Sequence, residues 1–319
     1  MTGADGLDPG LFRPEAIDAE TAAFNAKLAE LFAAAPPTHL QEPKAVRAAR
    51  AAGGGVMGPI VRSPNAKERL IAGPAGPLSL RLFLPQTVRG VYYHVHGGGW
   101  VLGANDAQDA RLEELANSCS VAVASVGYRL APEHPHPAGA EDCEAAALWL
   151  VEHAKAELGS DRLIIGGESA GANLAVVALL RLRDRHGLTP FLAANLPSGV
   201  FDASQTPSAA NWGERYLVLS TPGMRWFAHH YAPAAKHRDP DVSPLYADLA
   251  GLPRALFTVG TRDVLLDDSL FMYARWRGAG SDAELAVYPG GVHGFTGFPI
   301  EIGRRALQRE YAFIREALA

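Results

Sequence analysis

Residues 167–171 read Gly167-Glu168-Ser169-Ala170-Gly171 and stand between a short β-branched apolar run and a long helical pattern. A serine on a tight strand-to-helix turn has a strained backbone, and its glycine neighbours let strand and helix approach closely. Such a turn lifts the hydroxyl above the carboxyl edge of a sheet, and the helix N-terminus favours negative charge developing beside it. A serine placed this way is suited to attack a carbonyl carbon. A functionless Gly/Ser turn has the same composition, and only the strand–turn–helix setting argues against it.

The attacked carbonyl oxygen would need donors, and His96-Gly97-Gly98-Gly99-Trp100 directly follows an apolar run at 91–95. Consecutive glycines let backbone N–H groups converge on one spot with no side chain intruding, which is what holding an oxyanion requires. Gly98, Gly99 and the amide of Ala170 are the expected donors. A phosphate cradle would look similar, but no Lys-Ser/Thr follows these glycines.

The serine also needs a base, and eleven histidines compete. His94 and His96 belong to the strand before the glycines, His134 and His136 to a Pro-rich turn, His229 and His230 to an aromatic stretch. His293 lies in Pro289-Gly290-Gly291-Val292-His293-Gly294-Phe295, between the last expected strand and the final helix. Loops of that kind open at the carboxyl edge of a parallel sheet, so His293 is the expected base. A carboxylate should orient the imidazole and stabilise its charged form. Asp263 follows an expected strand almost at once, whereas Asp267 and Asp268 fall where a helix begins and are read as N-caps. The order Ser169, Asp263, His293 is then the one expected of a nucleophile elbow on an α/β sheet.

These residues must be carried by a sheet. Strands are expected at 78–84, 91–96, 121–127, 161–166, 192–196, 255–260 and 284–288, alternating with helices near 106–118, 139–158, 170–185 and 301 onward. The alternation implies a mostly parallel sheet covered on both faces. Two helices are expected before it, over 14–35 and 43–52, the first with Ile17, Phe24, Leu28, Leu31 and Phe32 near the 3.6-residue period. The stretch 197–250 breaks the rhythm and carries Trp212, Tyr216, Trp226 and Phe227 among turn residues, which suits a lid. At 319 residues and 48% hydrophobic content the chain fits one α/β domain with an insertion. A net charge of −5 without a Lys/Arg run argues against a nucleic-acid or anionic-membrane partner. The two cysteines, Cys119 and Cys143, make no disulfide framework. With no leader pattern near Met1 and no apolar run of ~20 residues, the expectation is a cytoplasmic protein, with which a homodimer is compatible.

Residues 96–100, the run Tyr128-Arg129-Leu130-Ala131-Pro132-Glu133-His134-Pro135, residues 167–171, Asp263 and His293-Gly294-Phe295 together resemble the hormone-sensitive-lipase family of α/β-hydrolases, bacterial esterase branch. The motifs span 96–295 and keep the family's order and spacing. The resemblance implies an α/β-hydrolase fold with a mostly parallel eight-stranded sheet, helices on both faces and a helical cap. Residues 1–55 and 197–250 would form the cap, and 56–196 with 251–319 the catalytic core. It implies a serine carboxylesterase cleaving a small-molecule ester of short to medium chain through an acyl-enzyme, with no cofactor or metal. Ser169, Asp263 and His293 would be catalytic; Gly98, Gly99 and Ala170 would form the oxyanion hole; Trp100, Trp212, Tyr216 and Phe295 would touch substrate.

Two features depart from the commonest pattern. Glu168 stands where similar sequences often have Asp or Thr, which is read as neutral for the elbow. Gly103-Ala104-Asn105-Asp106 lacks a serine often found there, which implies different anchoring contacts for the loop. Arg129 and Glu133 are read as a charge pair locking the Pro-rich turn. A metal hydrolase built on His94-Val95-His96 lacks the further ligands zinc needs. A non-catalytic binder is disfavoured by the complete Ser/Asp/His set, and an amide- or lactone-cleaving enzyme stays open because its acyl-enzyme chemistry is the same.

Overall fold

The computed structural model describes residues 7–54, 56, 58–214 and 217–319. Its centre is an eight-stranded sheet: β1 (Lys67–Gly73), β2 (Gly76–Phe83), β3 (Gly90–Val95), β4 (Val121–Val126), β5 (Leu163–Gly167), β6 (Phe191–Pro197), β7 (Arg254–Arg262) and β8 (Ala283–Val292). The spatial order is β1-β2-β4-β3-β5-β6-β7-β8, antiparallel from β1 through β2 to β4 and parallel from there on. Strands β3, β4 and β5 are buried along their whole length. Both their faces are covered, which is why they read as continuous apolar runs rather than as alternating ones.

One strand was invisible in the pattern. β1 is an edge strand whose first four residues, Lys67-Glu68-Arg69-Leu70, are exposed, so neither alternation nor an apolar run marks it. Its seven-residue ladder with β2 completes the eight.

The helices are α1 (Ala19–Ala34), α2 (Pro43–Ala51), α3 (Asp109–Cys119), α4 (Ala138–Leu158), α5 (Ala170–His186), α6 (Pro207–Asn211), α7 (Thr221–Tyr231), α8 (Leu266–Gly278) and α9 (Glu301–Ala317). On one face of the sheet, Ala146 and Leu150 of α4, Leu174 and Val177 of α5, and Met272 and Trp276 of α8 join the largest apolar cluster. On the other face, Leu112 and Leu115 of α3 pack with Tyr311, Phe313 and Ile314 of α9. Among the described residues no helix is long and apolar enough to cross a membrane.

The first helix begins later than its apolar period suggested. Single turns at Pro9–Phe12 and Pro14–Ala16 precede it, and the Asp18 side chain caps it by accepting the Thr21 N–H at 2.8 Å. Its Leu28 and Phe32 pack with Leu217 of the insertion and with Val292, Phe295, Ile300 and Ile302, and Trp212 lies against this cluster. Leu31 is 47% exposed and is not part of the buried face. The second helix, α2, sends Arg47 across to the Val101 carbonyl at 2.8 Å and to the Glu133 carboxylate. This corrects the expected Arg129–Glu133 pair, because Arg129 instead holds Asp142 through Nε at 2.8 Å and Nη2 at 2.9 Å.

Candidate active site

Ser169 occupies the turn between β5 and α5 with φ 57° and ψ −121°, a region few side chains tolerate. The crowding explains the flanking glycines. A Cβ on Gly171 would lie 1.9 Å from the Val95 carbonyl oxygen, and one on Gly167 would lie 2.3 Å from the same atom. The end of β3 therefore passes directly against the elbow, and only glycine permits it.

His293 follows β8 and Asp263 follows β7, so both arrive at the same edge as the serine. His293 Nε2 stands 3.1 Å from Ser169 Oγ, and Nδ1 stands 3.0 and 3.1 Å from the two Asp263 oxygens. A carboxylate only accepts, so Nδ1 carries the hydrogen and Nε2 turns its lone pair to the serine. Asp263 is buried, and its Oδ1 also takes the Leu265 N–H at 2.9 Å, which fixes the carboxylate plane.

Gly98 and Gly99 adopt φ 116° and 61° in the loop after β3. The Gly98 carbonyl is engaged by the N–H groups of Leu102 at 2.8 Å and Val101 at 3.2 Å. Among the described residues the N–H groups of Gly98, Gly99 and Ala170 donate to no other group. Ala170 opens α5, whose N-terminus adds a positive potential beside Ser169. Phe227 of α7 lies on this loop so closely that a Cβ on Gly99 would be 2.2 Å from its Cδ1.

The expected substrate contacts fare differently. Trp100 is a correction: it is 2% exposed, its ring stacks on Tyr231 at 4.3 Å, and its Nε1 points at Asn173 Oδ1 at 3.3 Å. Its ring is packed between the glycine loop it belongs to and Tyr231 rather than standing open. Phe295 is a second correction, fully buried in the α1 cluster and tilted against Tyr288 at 5.2 Å. Trp212 is half-buried between the insertion and the core, and Tyr216 lies outside the described residues.

Sequence reasoning missed Glu168. Its Oε1 accepts the Gly97 N–H at 2.8 Å and a hydrogen bond from Gln108, and its Oε2 faces His94 Nε2 at 3.1 Å. Burial opposes ionisation, yet the His94 ring, Arg111 and the Gly97 N–H bring the carboxyl down to about 2. The signal for it in the sequence is the acidic character at an elbow position. His94 Nδ1 is 2.9 Å from Ser125 Oγ, while the His96 ring stacks on Tyr128 at 4.2 Å and burial pushes its imidazole down to about 4. Both rings are thus committed to partners within the fold. Segment 103–106 is anchored by Asn105 to Ser79 Oγ at 3.2 Å and by Asp106 to Arg62 at 2.6 Å.

Asp267 and Asp268 are also placed differently from the expected N-caps. They sit within the first turn of α8 and hold the insertion. Asp268 accepts the N–H groups of Phe201 at 2.7 Å and Asp202 at 2.9 Å and the Thr206 hydroxyl at 2.6 Å, and Asp267 accepts the Ser208 N–H at 2.7 Å.

A family described as having the alpha/beta hydrolase fold matches residues 92–297. The chain belongs to the bacterial esterase branch of the hormone-sensitive-lipase family of α/β-hydrolases. It is 37% identical over 238 residues to a carboxylic ester hydrolase, LipN, of Mycobacterium tuberculosis, a match covering 70% of this chain and 62% of that protein. It is 34% identical over 260 residues to the carboxylesterase NlhH of the same species, covering 76% of this chain and 79% of that one. The solved structure of a hyperthermophilic esterase from the archaeon Pyrobaculum calidifontis superposes with a TM-score of 0.83 at 30% identity, covering 93% of this chain and 98% of that one. The α/β-hydrolase sheet described above is the fold these family members share.

Proposed function

We propose that this α/β-hydrolase cleaves carboxylic esters of short to medium acyl chain through an acyl-enzyme on Ser169. The carboxylic-ester hydrolase class follows from its family. The observation that carries the finer reading is the hydrogen-bonded line from Asp263 through His293 to Ser169, and the Gly98, Gly99 and Ala170 amides, which donate to no other group among the described residues, support it. In this reading His293 Nε2 takes the Ser169 proton as Oγ bonds to the ester carbonyl carbon. The Gly98, Gly99 and Ala170 amides hold the oxyanion, and Asp263 stabilises the imidazolium. His293 then returns the proton to the departing alcohol oxygen as the C–O bond breaks. Water, deprotonated by the same nitrogen, attacks the acyl carbon and frees the acid and Ser169.

The chain-length preference rests on the roof of the site. Phe227 lies on Gly99, and α1 packs with Leu217 and Trp212 against Val292, the residue before His293. A p-nitrophenyl ester panel tests it: about two to eight acyl carbons should be turned over best, with long-chain triglyceride emulsions poor. Equal or better turnover of long chains overturns the preference. A serine-directed organophosphate should add once, at Ser169, and labelling elsewhere overturns the nucleophile.

A further inference from the structure

We infer that Glu168 is a positioning residue that sets the oxyanion loop against the nucleophile, acting through the Gly97 N–H; this rests on the function proposed above. Glu168 directly precedes Ser169, so its backbone belongs to the elbow, while its side chain reaches the loop after β3. Oε1 receives the Gly97 N–H at 2.8 Å together with Gln108, and Oε2 is held by His94, which Ser125 holds in turn at 2.9 Å. The contact is intimate: a Cβ on Gly97 would lie 2.8 Å from the Glu168 carbonyl oxygen and 3.3 Å from its Cγ.

The peptide geometry carries the argument from Gly97 to the donors. The Gly97 carbonyl accepts His96 Nδ1–H at 2.8 Å. With its N–H held by Glu168 and its C=O held by His96, Gly97 has little rotational freedom left. In a planar trans peptide the next N–H points opposite to that carbonyl, so the direction of the Gly98 N–H is fixed as well. One carboxylate thereby ties the attacking oxygen and a proposed oxyanion donor into one unit. The arrangement has an electrostatic side too. A buried negative charge near a developing oxyanion would oppose it, and here the charge is covered by His94 and by donors from Gly97 and Gln108. The Ser125–His94–Glu168 line resembles a catalytic triad in its partners, but Ser125 is fully buried and touches no substrate.

The test uses Glu168→Ala, Glu168→Gln and Glu168→Asp in the full chain. It reads kcat and KM on a short p-nitrophenyl ester and inhibition by a trifluoromethyl ketone, whose serine adduct places an oxyanion in the hole. Glu168→Ala should lose about 10²-fold in kcat, as for an oxyanion donor displaced, with KM changed by less than about threefold. The ketone should weaken in parallel. Glu168→Gln keeps an acceptor oxygen for Gly97 and should recover to within about tenfold of the parent. Glu168→Asp keeps the charge on a stem one methylene shorter and should be worse than Gln, a comparison that decides even if the alanine chain does not fold. An active parent with Glu168→Ala unchanged, or Asp equal to or better than Gln, overturns the inference alone. A parent that neither turns over ester nor binds the ketone overturns the proposed function and this inference with it.

Discussion

At Ser169 the backbone angles, φ 57° and ψ −121°, hold a side chain where few residues are tolerated, and the hydroxyl faces His293. Ser169→Ala should lower kcat on the order of 10⁶-fold without unfolding the chain, since the methyl fits where the Cβ already stands. Steady-state kinetics with circular dichroism checks it, and normal turnover by a folded alanine variant sinks the assignment. The neighbouring carboxylates should separate cleanly. Asp263→Asn should cost on the order of 10³–10⁴ in kcat by presenting the wrong hydrogen-bonding partner to His293. Asp268→Ala should leave turnover nearly intact but lower stability by about 1–3 kcal/mol, the cost of stranding buried donors. Phe201 and Asp202 would lose their acceptor. Urea denaturation of the two variants distinguishes them, and a large kcat loss in Asp268→Ala would contradict the division of labour.

Among the elements, those that packing covers on both faces were the legible ones. Strands β3 to β7 and helices α3, α4, α5 and α9 lie within a few residues of where apolar runs and caps placed them, because burial dictated their composition. β1 was hidden, since an edge strand facing water needs charge rather than periodicity. Ser169, Asp263 and His293 were legible because each stands just past a strand end. Trp100 and Phe295 are buried where exposure was expected, because adjacency in sequence to Gly99 or His293 says nothing about which way a ring turns. The loop after β3 and the helix α1 give two further tests. A Cβ on Gly99 would strike Phe227 and strain a residue at φ 61°, so Gly99→Ala should abolish measurable ester turnover; retained activity would show that the loop can yield. Phe32→Ala removes a ring that is 7% exposed between α1 and the insertion. It should cost about 3–5 kcal/mol if the pocket cannot collapse, with a broadened acyl preference on the ester panel. An unchanged preference would detach α1 from the site.

For the whole molecule, acid stability reports on the buried charges. The Glu168 carboxyl is brought down to about 2 from an ordinary 4.5, so it favours the folded state above pH 4.5 and that contribution is lost as pH falls through about 2. Glu168→Gln has no carboxyl to titrate, so between about pH 5 and about pH 2 it should lose less stability than the parent. Denaturation curves across that interval decide, and equal losses would mean that the carboxyl is not held ionised.

The stem of the insertion carries a different consequence. Its entry is clasped by Asp268 at Phe201, Asp202 and Thr206, and its exit by Arg181 on Asp241 at 2.7 Å, Asn173 on the Val242 carbonyl at 3.0 Å and Arg275 on the Ala247 carbonyl at 2.8 Å. The clasping side chains all come from α5 and α8 of the core. In a chimaera, a donor cassette exchanged between residues 209 and 240 inherits both clasps from the host and brings a new roof onto an old footing. A cassette cut at 197 and 250 imports stems that were selected against another host's clasps. Recombination in this family should therefore succeed at crossovers inside the stems rather than at the ends of β6 and β7.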